Sequence, residues 1–299
     1  MYPQAFHYHR ASSLKEAATM LVQLGEEAKL LAGGQSLIPL MKLRFASPQH
    51  LVDLNFIPGT SYVKEENGAL QFGALTRHAE IENSATAGEI PIIHDCAAGI
   101  ADAQVRNRGT IGGSIAEADP SGDWATVLLT QAAEVRCLGP GADSERTVPL
   151  NQFITDAYTT VLAHGELVSE IVVKIPPKGT GGAYLAFKRT APVYPTASAA
   201  VQLSMDGDVC KDAAIALGCV GLTAIKATEA EATLHGQQVT DRVIAAAMEA
   251  ARAAADPQPD MRGSAEYKRA LVSALVKRAI KIAMRRARGE QVEDSHIYA

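Results

Sequence analysis

The sequence predicts an α+β protein built from two N-terminal lobes and a C-terminal lobe. Three observations carry this. At 299 residues the chain is too long for one compact core. Its first half alternates short apolar runs with capped helices, and two glycine-containing bends each sit on an αβ segment of their own. Its last third opens with long alternating strands and closes with alanine-rich helices, the pattern of an antiparallel sheet covered by helices.

In the first lobe, residues 1–56, Ser13-Leu14-Lys15-Glu16 reads as a capping box, with Glu16 reaching back to the cap. Leu14, Ala17, Ala18, Leu21 and Leu24 follow at helical spacing, and Gly25 stops the helix. Lys29–Leu31 is a short strand, Leu37–Leu43 about one helical turn despite Pro39, and Leu51–Leu54 a closing strand. The second lobe, 57–176, opens with a strand at Ala69–Ala74, and Thr76 is read as the cap of a helix through Ile81. A helix at Ile92–Ile100 follows, then a glycine loop, then Trp124–Thr130 capped by Asp123. Strands at Glu134–Leu138 and near Thr147 are joined by the turn Gly139-Pro140-Gly141, and Ile171–Ile175 ends the lobe. Pro176–Gly179 reads as a linker into the third lobe, 177–299. There Tyr184–Arg189 and Ala197–Met205 are strands, Asp206-Gly207 turns a hairpin into a strand ending near Gly218, and helices span Thr223–Leu234, Thr240–Ala255 and Ala265–Arg288. The tail from Gly289 is polar and expected to fray.

The chemistry concentrates in the two bends. Arg108-Gly109-Thr110-Ile111-Gly112-Gly113-Ser114 is followed closely by Asp119-Pro120-Ser121-Gly122-Asp123, and Ala32-Gly33-Gly34-Gln35-Ser36 follows the run Lys29-Leu30-Leu31. Small residues let backbone N–H groups approach an anionic oxygen to within about 3 Å. Either bend alone is an ordinary turn; together they can clamp one pyrophosphate from two sides. Neither Gly-x-Gly-x-x-Gly nor the Walker pattern occurs, so the geometry must differ from both.

Ala32-Gly33-Gly34-Gln35-Ser36-Leu37-Ile38-Pro39 together with Gly109-Thr110-Ile111-Gly112-Gly113-Ser114, and Asp123 downstream, resembles the FAD-binding medium subunit of molybdenum hydroxylases, the group of aerobic carbon monoxide dehydrogenase and xanthine dehydrogenase. The resemblance spans essentially the whole chain. It implies a two-lobed FAD-binding fold of the PCMH/vanillyl-alcohol-oxidase type with a C-terminal α+β domain. It implies non-covalent FAD, since no histidine lies within either bend. It also implies partner chains: a large subunit with the molybdenum cofactor, a small subunit with [2Fe–2S] clusters, and a dimer of heterotrimers. The rival reading is a free-standing flavin oxidoreductase of the same fold; another is a nucleotide-binding or assembly module without flavin.

Residue by residue, the resemblance places Leu31, Ala32, Gly33, Gly34, Gln35, Ser36, Thr110, Ile111, Gly112, Gly113 and Ser114 at the FAD diphosphate, the amides of Gly33, Gly34, Gly112 and Gly113 leading. It sets Asp123 at the ribose or adenine end, and Ile100 and Leu167 on the cleft wall. Lys188 is placed near the flavin ring, where a cation would stabilise the anionic reduced form, and Tyr194 against the ring. From the residues alone, Asp123 is a helix cap, Ile100 and Leu167 are core, and Lys188 is a surface lysine on an edge strand. Two departures stand out: Glu117 where many relatives carry histidine, and Thr190-Ala191-Pro192-Val193 in place of an acidic or glycine-bearing stretch.

Net charge of −5 and the absence of a dominant basic patch argue against nucleic acid. The basic run Lys277, Arg278, Lys281, Arg285, Arg286, Arg288 reads as a solvated helix face or a protein contact. No apolar stretch approaches the ~20 residues needed to span a bilayer, and no signal peptide is read, so a cytoplasmic setting is expected. Cys96, Cys137, Cys210 and Cys219 are scattered without a Cys-x-x-Cys, so no metal or cluster is expected on this chain. His7 and His9 fit a surface strand better than a metal site. No Ser/His/Asp triad or close carboxylate pair is recognisable from spacing.

Overall fold

The computed structural model describes residues 2–141, 144–190 and 193–292. The first unit runs β1 (His7–Arg10), α1 (Leu14–Leu24), β2 (Ala28–Leu31), α2 (Leu37–Leu43) and β3 (His50–Asp53), with a parallel sheet ordered β1-β3-β2. Ser13 Oγ accepts the Glu16 N–H at 3.1 Å, while the Glu16 carboxylate accepts from the Ser12 N–H at 2.6 Å, one residue beyond the cap position that the box predicts. Ala17, Ala18 and Leu21 are the buried face of α1, and a small core joins Ala17 and Ala18 to Val52, Leu54 and Leu167. Pro39 is tolerated because it lies in the first turn of α2, where no intrahelical N–H is required.

The second unit runs β4 (Val63–Glu66), β5 (Ala69–Gly73), α3 (His78–Glu82), α4 (Ala85–Gly88), α5 (Pro91–Gly99), α6 (Ala103–Arg106), α7 (Ile111–Glu117), α8 (Asp123–Thr130), β6 (Glu134–Leu138), β7 (Glu145–Pro149), α9 (Leu150–Phe153), β8 (Ile154–Asp156), β9 (Thr159–Thr160) and β10 (Leu167–Lys174). Its antiparallel sheet has the order β4-β5-β10-β6-β7, and its helices bury Ile93, Ile111, Trp124 and Phe153 with Phe72 and Ile171 of the sheet. Two caps differ from expectation. Arg77, not Thr76, precedes α3, its N–H donating to the Glu80 carboxylate at 2.9 Å; the Thr76 hydroxyl lies 2.9 and 2.7 Å from the Tyr62 and Gly73 carbonyls instead. Gly122 caps α8, and Asp123 is its first residue. The strand β4 was not foreseen, because Val63-Lys64-Glu65-Glu66 carries one apolar residue and looks like a charged loop.

The third unit runs β11 (Thr180–Phe187), β12 (Ala197–Asp206), β13 (Val209–Gly218), β14 (Ile225–Lys226), α10 (Thr228–Leu234), α11 (Asp241–Ala254) and α12 (Ala265–Ala287), with antiparallel order β11-β12-β13-β14. The hairpin turns at Gly207-Asp208, and the short β14 occupies the start of the first predicted helix. β11 begins four residues before Tyr184, since Gly181 and Gly182 hide a strand that is packed on both sides. A Cβ on Gly181 would lie 2.1 Å from the Ala283 carbonyl of α12, and one on Gly182 3.1 Å from Ile92 of α5. The third unit is thereby wedged against the second. Arg286 secures the joint: its guanidinium pairs with both Asp95 carboxylate oxygens at 2.6 and 3.0 Å and also reaches the Gly182 and Val292 carbonyls. It is thus not part of a solvated basic face, and the tail is held as far as Val292; residues 293–299 lie outside the described residues.

Among the described residues, no helix is long and apolar enough to cross a membrane, and the four cysteines are unpaired.

Candidate functional site

All three units meet at a cleft of about 330 Å³, within the range of small-molecule sites. The bend after β2 forms one wall. Gly33, Gly34, Gln35 and Ser36 line it, and no acceptor among the described residues takes up their amides. Gly34 holds φ +72°, a left-handed conformation natural to glycine, and Ser36 precedes α2 without a side-chain capping bond, leaving its hydroxyl available.

The second bend faces the first at contact distance. A Cβ on Gly33 would lie 2.3 Å from the Arg108 carbonyl and 2.8 Å from Gly109 Cα, and one on Gly113 3.7 Å from Ala32 Cβ. The expected loop is in fact a helix start: Thr110 caps α7, its Oγ1 accepting the Gly113 N–H at 3.1 Å. Gly112 is buried, and its N–H donates to the Ala74 carbonyl at 3.0 Å. A Cβ there would strike Ala74 at 2.6 Å, so this glycine serves helix-to-strand contact. The second bend therefore offers the Thr110 and Ser114 hydroxyls to the cleft, rather than the Gly112 amide.

Ile100 and Asp123 line the cleft from the second unit, and Lys188 and Tyr194 from the third. Asp123 is buried, and its Oδ1 accepts the Tyr184 hydroxyl at 2.7 Å. Burial pushes its carboxyl pKa up, while Lys188 and the Tyr184 bond pull it back. Lys188 is not a free surface lysine: its ammonium donates to the Gly99 carbonyl, bringing a cation close to Asp123. Tyr194 is half-exposed, with the Arg262 guanidinium 5.7 Å from its ring centre. Besides Gly112, three residues placed at the cofactor by resemblance do not line the cleft. Leu31 lies in β2, Ile111 is buried in the second core, and Leu167 packs in the first-unit core. Ala191 and Pro192, within the departure at 190–193, lie outside the described residues.

Sequence reasoning missed His78, Ala101 and Val105, which also line the cleft, and quoted Asp119 after the second bend without giving it a role there. His78 is buried; its Nδ1 accepts the Trp124 indole N–H at 3.1 Å, fixing the proton on Nε2. No motif marks it, because its partner lies 46 positions away. Burial, aided by Arg77 and Arg106, lowers its pKa from 6.5 to about 3. Between those values the unfolded chain takes up a proton that the folded one refuses, so acid costs stability there, at up to about 1.4 kcal/mol per pH unit. Urea unfolding between pH 4.5 and 7.5 should therefore show a shallower pH dependence for His78→Gln than for the native chain; equal slopes would remove His78 as the cause. Glu117, at the end of α7, lines the same cleft, and burial and Asp119 raise its pKa. Among the described residues, no group of three or more potential ligands could hold a metal ion.

The donor set suits a dinucleotide. The residues lining the space include four with unclaimed amides and three with hydroxyls, a set that can hold a doubly charged bridge, and Leu30, Ile100, Ala101 and Val105 supply apolar wall for rings. Residues 4–177 match the FAD binding domain in molybdopterin dehydrogenase, and residues 182–283 the CO dehydrogenase flavoprotein C-terminal domain. The carbon monoxide dehydrogenase medium chain of Hydrogenophaga pseudoflava is 40% identical over 287 residues, covering 96% of this chain and 99% of that one. The 6-hydroxypseudooxynicotine dehydrogenase complex subunit alpha of Paenarthrobacter nicotinovorans is 37% identical over 298 residues, covering 99% and 100%. Among solved structures, carbon monoxide dehydrogenase from Hydrogenophaga pseudoflava lacking the Mo-pyranopterin moiety superimposes with a TM-score of 0.93 at 42% identity, covering 96% of this chain and 99% of that one. With both domains matched and relatives aligned along nearly its whole length, the chain belongs to the FAD-binding medium subunits of molybdenum hydroxylases.

Proposed function

We propose that the chain holds FAD non-covalently in the three-sided cleft and relays electrons from iron–sulfur clusters on a partner to an external acceptor. The observation that carries this is the run of unclaimed amides at Gly33–Ser36 set directly against the second bend. FAD, when bound, supplies a centre that exchanges electrons singly or in pairs. The chain's part is to grip and tune it. The amides of Gly33, Gly34, Gln35 and Ser36, with the Ser36, Thr110 and Ser114 hydroxyls, hold the diphosphate. Lys188 provides positive charge beside the ring and Tyr194 covers it from the mouth. Lys188 and Asp123 are close enough for their charges to interact, so both would serve the same part of the ligand.

In this reading the molybdenum cofactor sits on a large partner and the [2Fe–2S] clusters on a small one, in a cytoplasmic dimer of heterotrimers. Native purification should yield a complex of three chain types with flavin absorbance, molybdenum and iron. A lone chain carrying flavin without either metal, and reduced directly by a small substrate, would favour the free-standing oxidoreductase.

A further inference from the structure

Behind the two bends, outside the cleft lining, runs a continuous polar connection that no step of flavin binding has yet used. Asp53, buried at the end of β3, accepts the Tyr8 hydroxyl at 2.5 Å and the Asn55 backbone N–H at 2.8 Å. The Asn55 side-chain amide donates to Asp53 and, at 3.0 Å, to the Ala32 carbonyl in the first bend. Its Oδ1 accepts from the Arg77 guanidinium, whose other terminal nitrogen donates to the Arg108 carbonyl in the second bend. The Asn55 amide can face only this way: its nitrogen meets three acceptors, the Leu31 and Ala32 carbonyls and the Asp53 carboxylate, and its oxygen one donor. The Arg108 carbonyl gripped by Arg77 is the atom against which Gly33 packs, so contact and connection close a ring around the joint.

We propose that Asn55 and Arg77 form a strut between the units, fixing the separation of the two bends and thereby setting the affinity for the FAD diphosphate. They are positioning residues, since neither lines the cleft. The planar, forked guanidinium suits the task because it reaches two carbonyl-type oxygens at once, which a lysine ammonium on a flexible stem does poorly. A site held open at the right width before binding loses less free energy to ordering when the ligand arrives. The proposal rests on the bends being the diphosphate site.

The full chain, stripped of FAD and titrated back, tests this in Asn55→Ala, Arg77→Gln, Arg77→Ala, Arg77→Lys, the double variant Asn55→Ala/Arg77→Gln, and Gly33→Val. Each strut variant should weaken FAD binding by roughly ten- to a hundredfold, the range that losing an outer-shell partner costs at metal sites. The double variant should be little worse than the worse single one, because cutting either joint breaks the same strut. Millimolar guanidinium should restore affinity to Arg77→Ala, which a general loss of stability would not allow. Full affinity in Asn55→Ala and Arg77→Gln while Gly33→Val loses FAD would overturn the strut alone, as would full affinity in Arg77→Lys or strictly additive losses. Full affinity in all of them, Gly33→Val included, would overturn the site assignment and the strut with it.

Discussion

Gly33→Val is expected to yield protein without FAD. The position has no room for a side chain: a Cβ would fall 2.3 Å from the Arg108 carbonyl and 2.8 Å from Gly109 Cα, both backbone atoms that cannot rotate aside. The two bends must separate by about 1 Å or more, and a shift of that size at a preorganised site costs on the order of a hundredfold. The affected atoms belong to loops between β2 and α2 and before α7, so both main cores should survive and the chain should still fold. Gly113→Val should do less harm, because its Cβ would meet the Thr110 hydroxyl at 2.6 Å, a side chain that can rotate aside, so the bends keep their separation and the cleft loses one hydroxyl donor. The ratio of flavin to protein absorbance after purification, with circular dichroism as a check on folding, reads both. Stoichiometric FAD in Gly33→Val would show that the bends are not the site.

The second large effect is on stability. Asp95→Ala or Arg286→Ala should destabilise the chain by about 3–5 kcal/mol, the usual result of leaving one partner of a buried ion pair uncompensated. The pair is two-pronged and only 2% and 7% exposed at its side chains, and Asp95 also accepts the Tyr184 N–H at 3.2 Å. Losing it loosens β11 from α5 and frees the Gly182 and Val292 carbonyls. Replacing both partners with apolar residues of similar volume should cost much less than either single alanine. Urea unfolding followed by tryptophan fluorescence measures this, since Trp124 lies in the second core. A loss below about 1 kcal/mol in the single variants would mean that Arg286 contributes no more than a surface pair.

Periodicity made most elements legible. The capped α1 and the alanine-rich α11 and α12 announce themselves through spacing that backbone geometry enforces, as do the long strands β12 and β13. What sequence hid was tertiary in origin. The second bend looked like a loop because two glycines oppose helix propensity, yet the Thr110 cap and the seat against Ala74 fold it into α7. Arg286 looked solvated because its partner lies 191 positions away. At the site, both bends and Asp123, Lys188 and Tyr194 were visible from motif and resemblance, whereas His78 and the Asn55–Arg77 strut were not. A residue that acts through burial or by bridging two loops carries no local pattern.

The most direct measurement is a structure of the chain with FAD bound. The diphosphate oxygens should lie within about 3.2 Å of amides in Gly33–Ser36, with the Thr110 or Ser114 hydroxyl reaching the same group from the opposite side. A diphosphate resting elsewhere in the cleft, with those amides still unclaimed, would contradict the idea that two facing bends grip the cofactor.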